Sequence, residues 1–129
     1  MSKFLINTSN LRVGGGLQVA ESICSQLNRF CNHKFYVVLS EKLKYLKNKL
    51  SLYDNVEVIE YTQKLTLYHI ITGGDKVLDG IVSKQNIDAT LTIFGPSRWS
   101  PKCFHLCGFV MSHIAVINIL YKLKNRIYR

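Results

Sequence analysis

Acidic residues are scarce in this chain: 8 Asp+Glu stand against 17 Lys+Arg, a formal net charge of +9. From Ala89 to Arg129 there is no carboxylate, while Arg98, Lys102, Lys122, Lys124, Arg126 and Arg129 all fall there. That end should present a positive field and favour anionic partners: a nucleotide, a phosphate-bearing lipid surface or nucleic acid. Long apolar runs are also missing. Phe109 to Tyr121 is interrupted by Ser112, His113 and Asn118 and is shorter than the ~20 residues a membrane span requires. Only Phe4-Leu5-Ile6 follows Met1-Ser2-Lys3 before polar residues resume, so no secretory signal is read and a cytoplasmic protein is expected. The 4 cysteines, Cys24, Cys31, Cys103 and Cys107, contain no C-x-x-C pair and no small-domain disulfide spacing, which predicts reduced thiols. No Pro/Ser-rich linker, internal repeat or low-complexity tract divides the 129 residues, so one domain is expected.

What is present is ordinary globular material, 47% hydrophobic and 19% charged, with a clear alternation of element types. Phe4-Leu5-Ile6 reads as a strand. Leu17, Ala20, Ile23, Cys24, Leu27, Phe30 and Cys31 recur at helical spacing. Lys34 to Leu39 is a nearly continuous apolar run, the pattern of a strand covered on both faces. Ser40 is placed to cap a helix with Leu43, Leu46 and Leu50 inward and Lys42, Lys44, Lys47 and Lys49 outward. Val56 to Tyr61 reads as a strand, Leu65 to Ile71 as either a short helix or an irregular segment, and Asp75 to Gln85 as a helix despite Gly80. Ala89 to Phe94 and Cys103 to Val110 follow as strands, the first ended by Gly95-Pro96. Strand and helix in alternation predict an α/β fold with a parallel sheet and helices on both faces. Ligands of such sheets collect beyond the carboxyl ends of the strands.

One such end carries Gly14-Gly15-Gly16 between the first strand and first helix. The first amides of a helix lack intrahelical partners and lie at its positive end, and glycine lets backbone approach an anion without a Cβ, so the turn fits a phosphate group. A merely flexible turn is the competing reading. Neither G-x-G-x-x-G nor a following Lys-Ser/Thr is present, which argues against the dinucleotide fingerprint and excludes the P-loop.

The run Leu5-Ile6-Asn7-Thr8-Ser9-Asn10-Leu11-Arg12-Val13-Gly14-Gly15-Gly16-Leu17-Gln18-Val19-Ala20, with Thr92-Ile93-Phe94-Gly95-Pro96-Ser97 much later, resembles the N-terminal half of bacterial GT-B-fold glycosyltransferases. The resemblance is to the large retaining family that builds capsular and lipopolysaccharide glycans, and it spans Lys3 to about His113. It implies a Rossmann-like domain with Gly14, Gly15 and Gly16 near the diphosphate of a nucleotide-sugar donor. Asn7, Asn10 and Gln18 would shape the same cleft, although Asn7 and Asn10 are also ordinary turn residues. Ser97, Arg98 and Trp99 would border it: Arg98 can hold a phosphate, and Trp99 can stack on a sugar or close the core. His113 falls where such enzymes place an acceptor-side histidine, with a structural histidine as the plainer reading.

Cys103, His105 and Cys107 would share one face of a strand, and with His113 could form a zinc set. Their spacing is not a usual zinc pattern, so buried thiols are the simpler expectation, and no metal or cofactor is expected. The family binds the nucleotide mainly in a second, C-terminal domain with a basic pair and a glutamate motif. These residues hold no counterpart, so the isolated chain is expected to be inactive unless a separate donor domain joins it. Residues 114–129 form a basic amphipathic tail, with Val116, Leu120, Leu123 and Ile127 on one helical face. It suits an anionic membrane surface carrying lipid-linked glycan acceptors, or docking on the sheet. The alternative function is a non-catalytic nucleotide- or anion-binding module. Nucleic acid is not expected, since no basic-aromatic recognition motif accompanies the charge.

Overall fold

The structure, a computed structural model, describes residues 1–61, 74–93 and 99–108. The segment Leu65 to Ile71, the residues Phe94, Ser97, Arg98 and His113, and the basic tail lie outside the described residues. Five strands form one parallel sheet in the order β3-β2-β1-β4-β5: β1 (Lys3–Asn7), β2 (Lys34–Leu39), β3 (Val56–Glu60), β4 (Ala89–Thr92) and β5 (Phe104–Cys107). This is the expected α/β, Rossmann-like arrangement. β2 is buried from Phe35 through Leu39, because a strand inside a helix-covered parallel sheet has no solvent face. β3, at one edge, is buried only at Val56 and exposes Glu57 and Glu60.

Each face of the sheet carries its own core. On one, Ala20 and Cys24 of helix α1 (Gly15–Ser25) pack with Ile6, Phe35, Val37 and Leu39. Leu43, Leu46 and Leu50 join them, as expected, but from a 3-10 run, Glu41–Leu46, followed by the short helix α2 (Lys47–Leu50). Leu43 and Leu46 are three apart, the spacing a 3-10 turn brings into line. Ser40 does not cap with its side chain, whose Oγ is buried without a hydrogen-bond partner. On the other face, Leu78 of helix α3 (Lys76–Gln85) packs with Leu5, Tyr36, Val38, Ile87 and Trp99. Asn86 ends α3 in the left-handed conformation, with φ 52°, as a helix-terminating Asn can at little cost.

The expected extents of four elements are corrected. α1 stops at Ser25, a 3-10 turn follows at Leu27–Arg29, and Phe30 and Cys31 are exposed rather than inward. The carbonyls of Leu27, Phe30 and His33 accept hydrogen bonds from Asn55 Nδ2 at 3.0, 3.2 and 3.4 Å. A distant amide therefore satisfies groups that a longer helix would have paired internally. Strands β3 and β4 end one and two residues earlier than expected, at Glu60 and Thr92, and β5 covers only Phe104–Cys107.

Candidate functional site

The chain leaves β1 in one direction through α1 to β2, and later reaches the other flank of β1 at β4. The crevice beyond Asn7 and Thr92 is therefore the point where connections diverge, the usual ligand position in open α/β sheets. Asn7 and Thr8, consecutive residues at that end, fasten β1 to both neighbours. Asn7 is buried; its Nδ2 donates to Thr92 Oγ1 at 3.3 Å, and its Oδ1 accepts from the Ser9 amide at 3.1 Å and Ser9 Oγ at 2.6 Å. Thr8 Oγ1 donates to the Val38 carbonyl at 2.7 Å and accepts from the Ser40 amide at 3.4 Å. Asn7 thus serves as a turn former and clasp, whereas Asn10 and Gln18 lie exposed along the loop and α1.

From this anchored edge the glycine loop opens to solvent. Gly14 and Gly15 are exposed and Gly16 is half-buried. Gly14 has φ +81° and ψ −160°, a conformation that favours glycine, and it sits at the N-cap of α1 with no side-chain hydrogen bond. A Cβ on Gly14 or Gly15 would meet nothing within 4 Å. No acidic residue occupies the first turn of α1. Helix α3 differs: Asp75 Oδ1 accepts from the amides of Val77 at 2.9 Å and Leu78 at 3.1 Å, and Asp79 adds a carboxylate to the first turn. The α1 amides thus face water without an anionic side chain of their own helix, with the exposed guanidinium of Arg12 in the same loop.

A second polar system lies under the same edge, on the α3 side. Register places Asn7 beside Thr92 and Thr92 beside Cys107, so all three share a face, as do Thr90 and His105. Thr92 Oγ1 lies 2.9 Å from His105 Nε2. Because Asn7 donates to this hydroxyl, the threonine can donate to a neutral imidazole, and desolvation lowers the His105 pKa in the direction that keeps it neutral. Trp99 is buried, its ring centroid 5.7 Å from that of His105, and its Nε1 donates to Asp79 Oδ1 at 2.8 Å. It closes the core at this position rather than offering an open stacking face. The Tyr61 hydroxyl donates to Asp75 Oδ2, and burial, then that hydrogen bond, raise the Tyr61 pKa.

Sequence reading had not singled out Thr92, His105 as its partner, or Arg12. Thr92 opens the second block of the resemblance but carries no signal there of a hydrogen-bonding role, whereas Arg12 is legible as a cation two residues before the glycines. Cys103, His105 and Cys107 are half-buried, all four thiols are free, and no group of three metal-ligating side chains occurs among the described residues. Burial pushes the Cys24 thiol up to about 12. Among the described residues no helix is long and apolar enough to cross a membrane. An open cleft of about 630 Å³ lies at the opposite, N-terminal edge, lined in part by Lys3, Cys31, His33, Lys34 and Asn55, and includes none of the expected site residues.

Comparison of the chain with known protein families, with curated proteins and with solved structures finds no match.

Proposed function

We propose that this chain is the N-terminal, acceptor-side domain of a GT-B glycosyltransferase that moves a sugar from a nucleotide-sugar donor to a surface-polysaccharide acceptor. The observation that carries the reading is the α1 N-terminus: Gly14 and Gly15 are exposed at the switch-point edge, with no side-chain cap and no first-turn acid. The resemblance of residues Leu5 to Ala20 to that family supplies the ligand, a sugar nucleotide. In this reading the amides of Gly15 and Gly16, helped by Arg12, stabilise negative charge on the donor diphosphate as the sugar–phosphate bond breaks. Asn7 and Thr92 hold the two loop bases in register. The basic pair and glutamate motif of the family have no counterpart among these residues, so transfer calls for a donor-binding domain in addition.

The test is amide chemical-shift mapping with a UDP-hexose, a GDP-hexose, inorganic pyrophosphate and free hexose. Shifts centred on Gly14 to Gly16 and Thr92, larger for a sugar nucleotide than for pyrophosphate, are expected. Gly15→Asp should weaken that binding about tenfold, or about 1.4 kcal/mol. The same substitution should leave the fold intact or stabilise α1 by about 0.3–1 kcal/mol, since acids favour helix N-termini. Equal response to pyrophosphate and sugar nucleotide would favour the non-catalytic anion-binding module. Binding indifferent to Gly15→Asp would end the proposal.

A further inference from the structure

The open cleft of about 630 Å³ lies at the far end of the sheet from the glycine loop. Lys3 and Lys34 begin β1 and β2 side by side in register, and Asn55 precedes β3, so the cleft runs beneath the starts of three strands. Its volume falls within the roughly 300–1,000 Å³ of small-molecule sites.

The walls of the cleft are pinned by bonds within the protein. Tyr36 is buried on the α3 side, and its hydroxyl donates to Gln85 Oε1 at 3.1 Å. Tyr53 packs against the α1-side core, and its hydroxyl donates to the Ser25 carbonyl at 3.4 Å. The His33 ring meets that of Phe4 edge-on, with centroids 5.4 Å apart. Three rings are thus fixed around one space, and walls ordered in advance lower the entropy cost of binding.

One cation of this cleft lacks a counter-ion. Lys3 Nζ donates to the Gln85 carbonyl at 3.1 Å. Lys34, half-buried, holds its Nζ 5.8 Å from the centre of the Tyr36 ring, and among the described residues no carboxylate lies within ion-pair distance of it. Asp54 is the one carboxylate in the lining, so the two ammonium groups exceed it by a single positive charge. That balance suits a monoanion and disfavours a dianion such as a phosphate monoester.

We propose that this cleft binds a small aromatic monocarboxylate, with its carboxylate on Lys34 Nζ and its ring among Tyr36, His33 and Tyr53. Aromatic pairs of this kind gain from edge-to-face and offset stacking. The same ring would cover Leu52, an apolar side chain 81% exposed at the rim. The site is separate from the glycine loop, and neither reading depends on the other.

The test is amide chemical-shift mapping of the full chain at pH 8 with 1-naphthoate, 1-naphthamide and phenyl phosphate. Saturable shifts at Lys34, Tyr36, Tyr53 and Asn55 are expected with 1-naphthoate, while Gly14 to Gly16 stay unmoved. The uncharged amide should bind about fivefold more weakly, the order of one partly exposed ion pair. Lys34→Met keeps an apolar stem over Tyr36 and should weaken 1-naphthoate by a similar factor with Tm little changed, whereas Lys34→Arg should retain it. The absence of saturable shifts, shifts confined to the glycine loop, equal affinity for acid and amide, or unchanged affinity in Lys34→Met would each overturn the proposal. Tighter binding of phenyl phosphate than of 1-naphthoate would overturn the ligand class.

Discussion

Gly14 and Gly15 are adjacent and make different demands on the chain. Gly14 holds φ +81° and ψ −160°, a region costing a side-chain-bearing residue about 1–3 kcal/mol. Gly14→Ala should therefore lower stability by that order in urea unfolding. Gly15→Ala should change it by less than about 0.5 kcal/mol, since a Cβ there meets nothing within 4 Å. Any loss of ligand affinity on Gly15→Ala then reports on the anion site and not on the fold. Cys24 gives a pH prediction. Its thiol rises from 9.0 to about 12 through burial, so its contribution is complete below the unfolded-state value and is lost as pH climbs from about 9 towards 12. Urea titrations from pH 8 to 10.5 should show a decline that is shallower in Cys24→Ala. His105 works in the opposite direction: its depressed pKa makes stability present above the unfolded histidine value and lost as pH falls below it. His105→Gln should flatten that acid-side slope.

At the scale of elements, α1 and α3 begin in contrasting ways. Asp75 accepts the amides of Val77 and Leu78 and also receives the Tyr61 hydroxyl. Asp75→Ala should cost about 1–2 kcal/mol, the range for losing a helix cap, with Asp75→Asn recovering much of it; thermal melts of the two variants check this. Gly80, exposed in the middle of α3 with open space at its Cβ, invites the reverse change. Gly80→Ala should stabilise by about 0.5–1 kcal/mol. The mid-helix Gly80 stood in the sequence as a local signal, whereas Asp75, read there as part of the helix, precedes the helix as its cap. The end of α1 was not legible there. Its apolar period continues through Phe30 and Cys31, and the interruption depends on Asn55, far away in the chain, binding the carbonyls of Leu27 and Phe30. The run Glu41–Leu46 was legible as helical with Leu43 and Leu46 inward. Its 3-10 winding was not, since both geometries bury residues three apart.

For the whole molecule, the sheet order decides which distant residues meet. β1 lies between β2 and β4, so Asn7 reaches Thr92, 85 positions on, and Thr92 reaches His105. Thr92→Val should remove both bonds while keeping side-chain shape. A loss of about 1–3 kcal/mol is expected, the range for a buried polar group left without its partner. Calorimetry checks the loss, and the His105 ring signals should shift in the same variant. The same order sets the glycine loop and the end of β4 on one edge, whereas the open cleft at the other edge lies between strand N-termini. Chemical-shift mapping with a nucleotide sugar therefore discriminates between two opposite ends of the molecule.

The sequence alone determined the α/β class, five strand positions to within a few residues, the inward faces of the helices except at the end of α1, and the position of the glycine turn. Each of these follows from local spacing: a strand or an amphipathic helix announces itself in adjacent residues, and a glycine triplet needs no distant partner to be recognised. Only the tertiary structure decided which strands adjoin, that Asn7 clasps β4, that Trp99 is enclosed instead of open, and that α1 begins without a side-chain cap. These are contacts between groups tens of residues apart. Burial and hydrogen bonding become defined there only once the strands have taken their order.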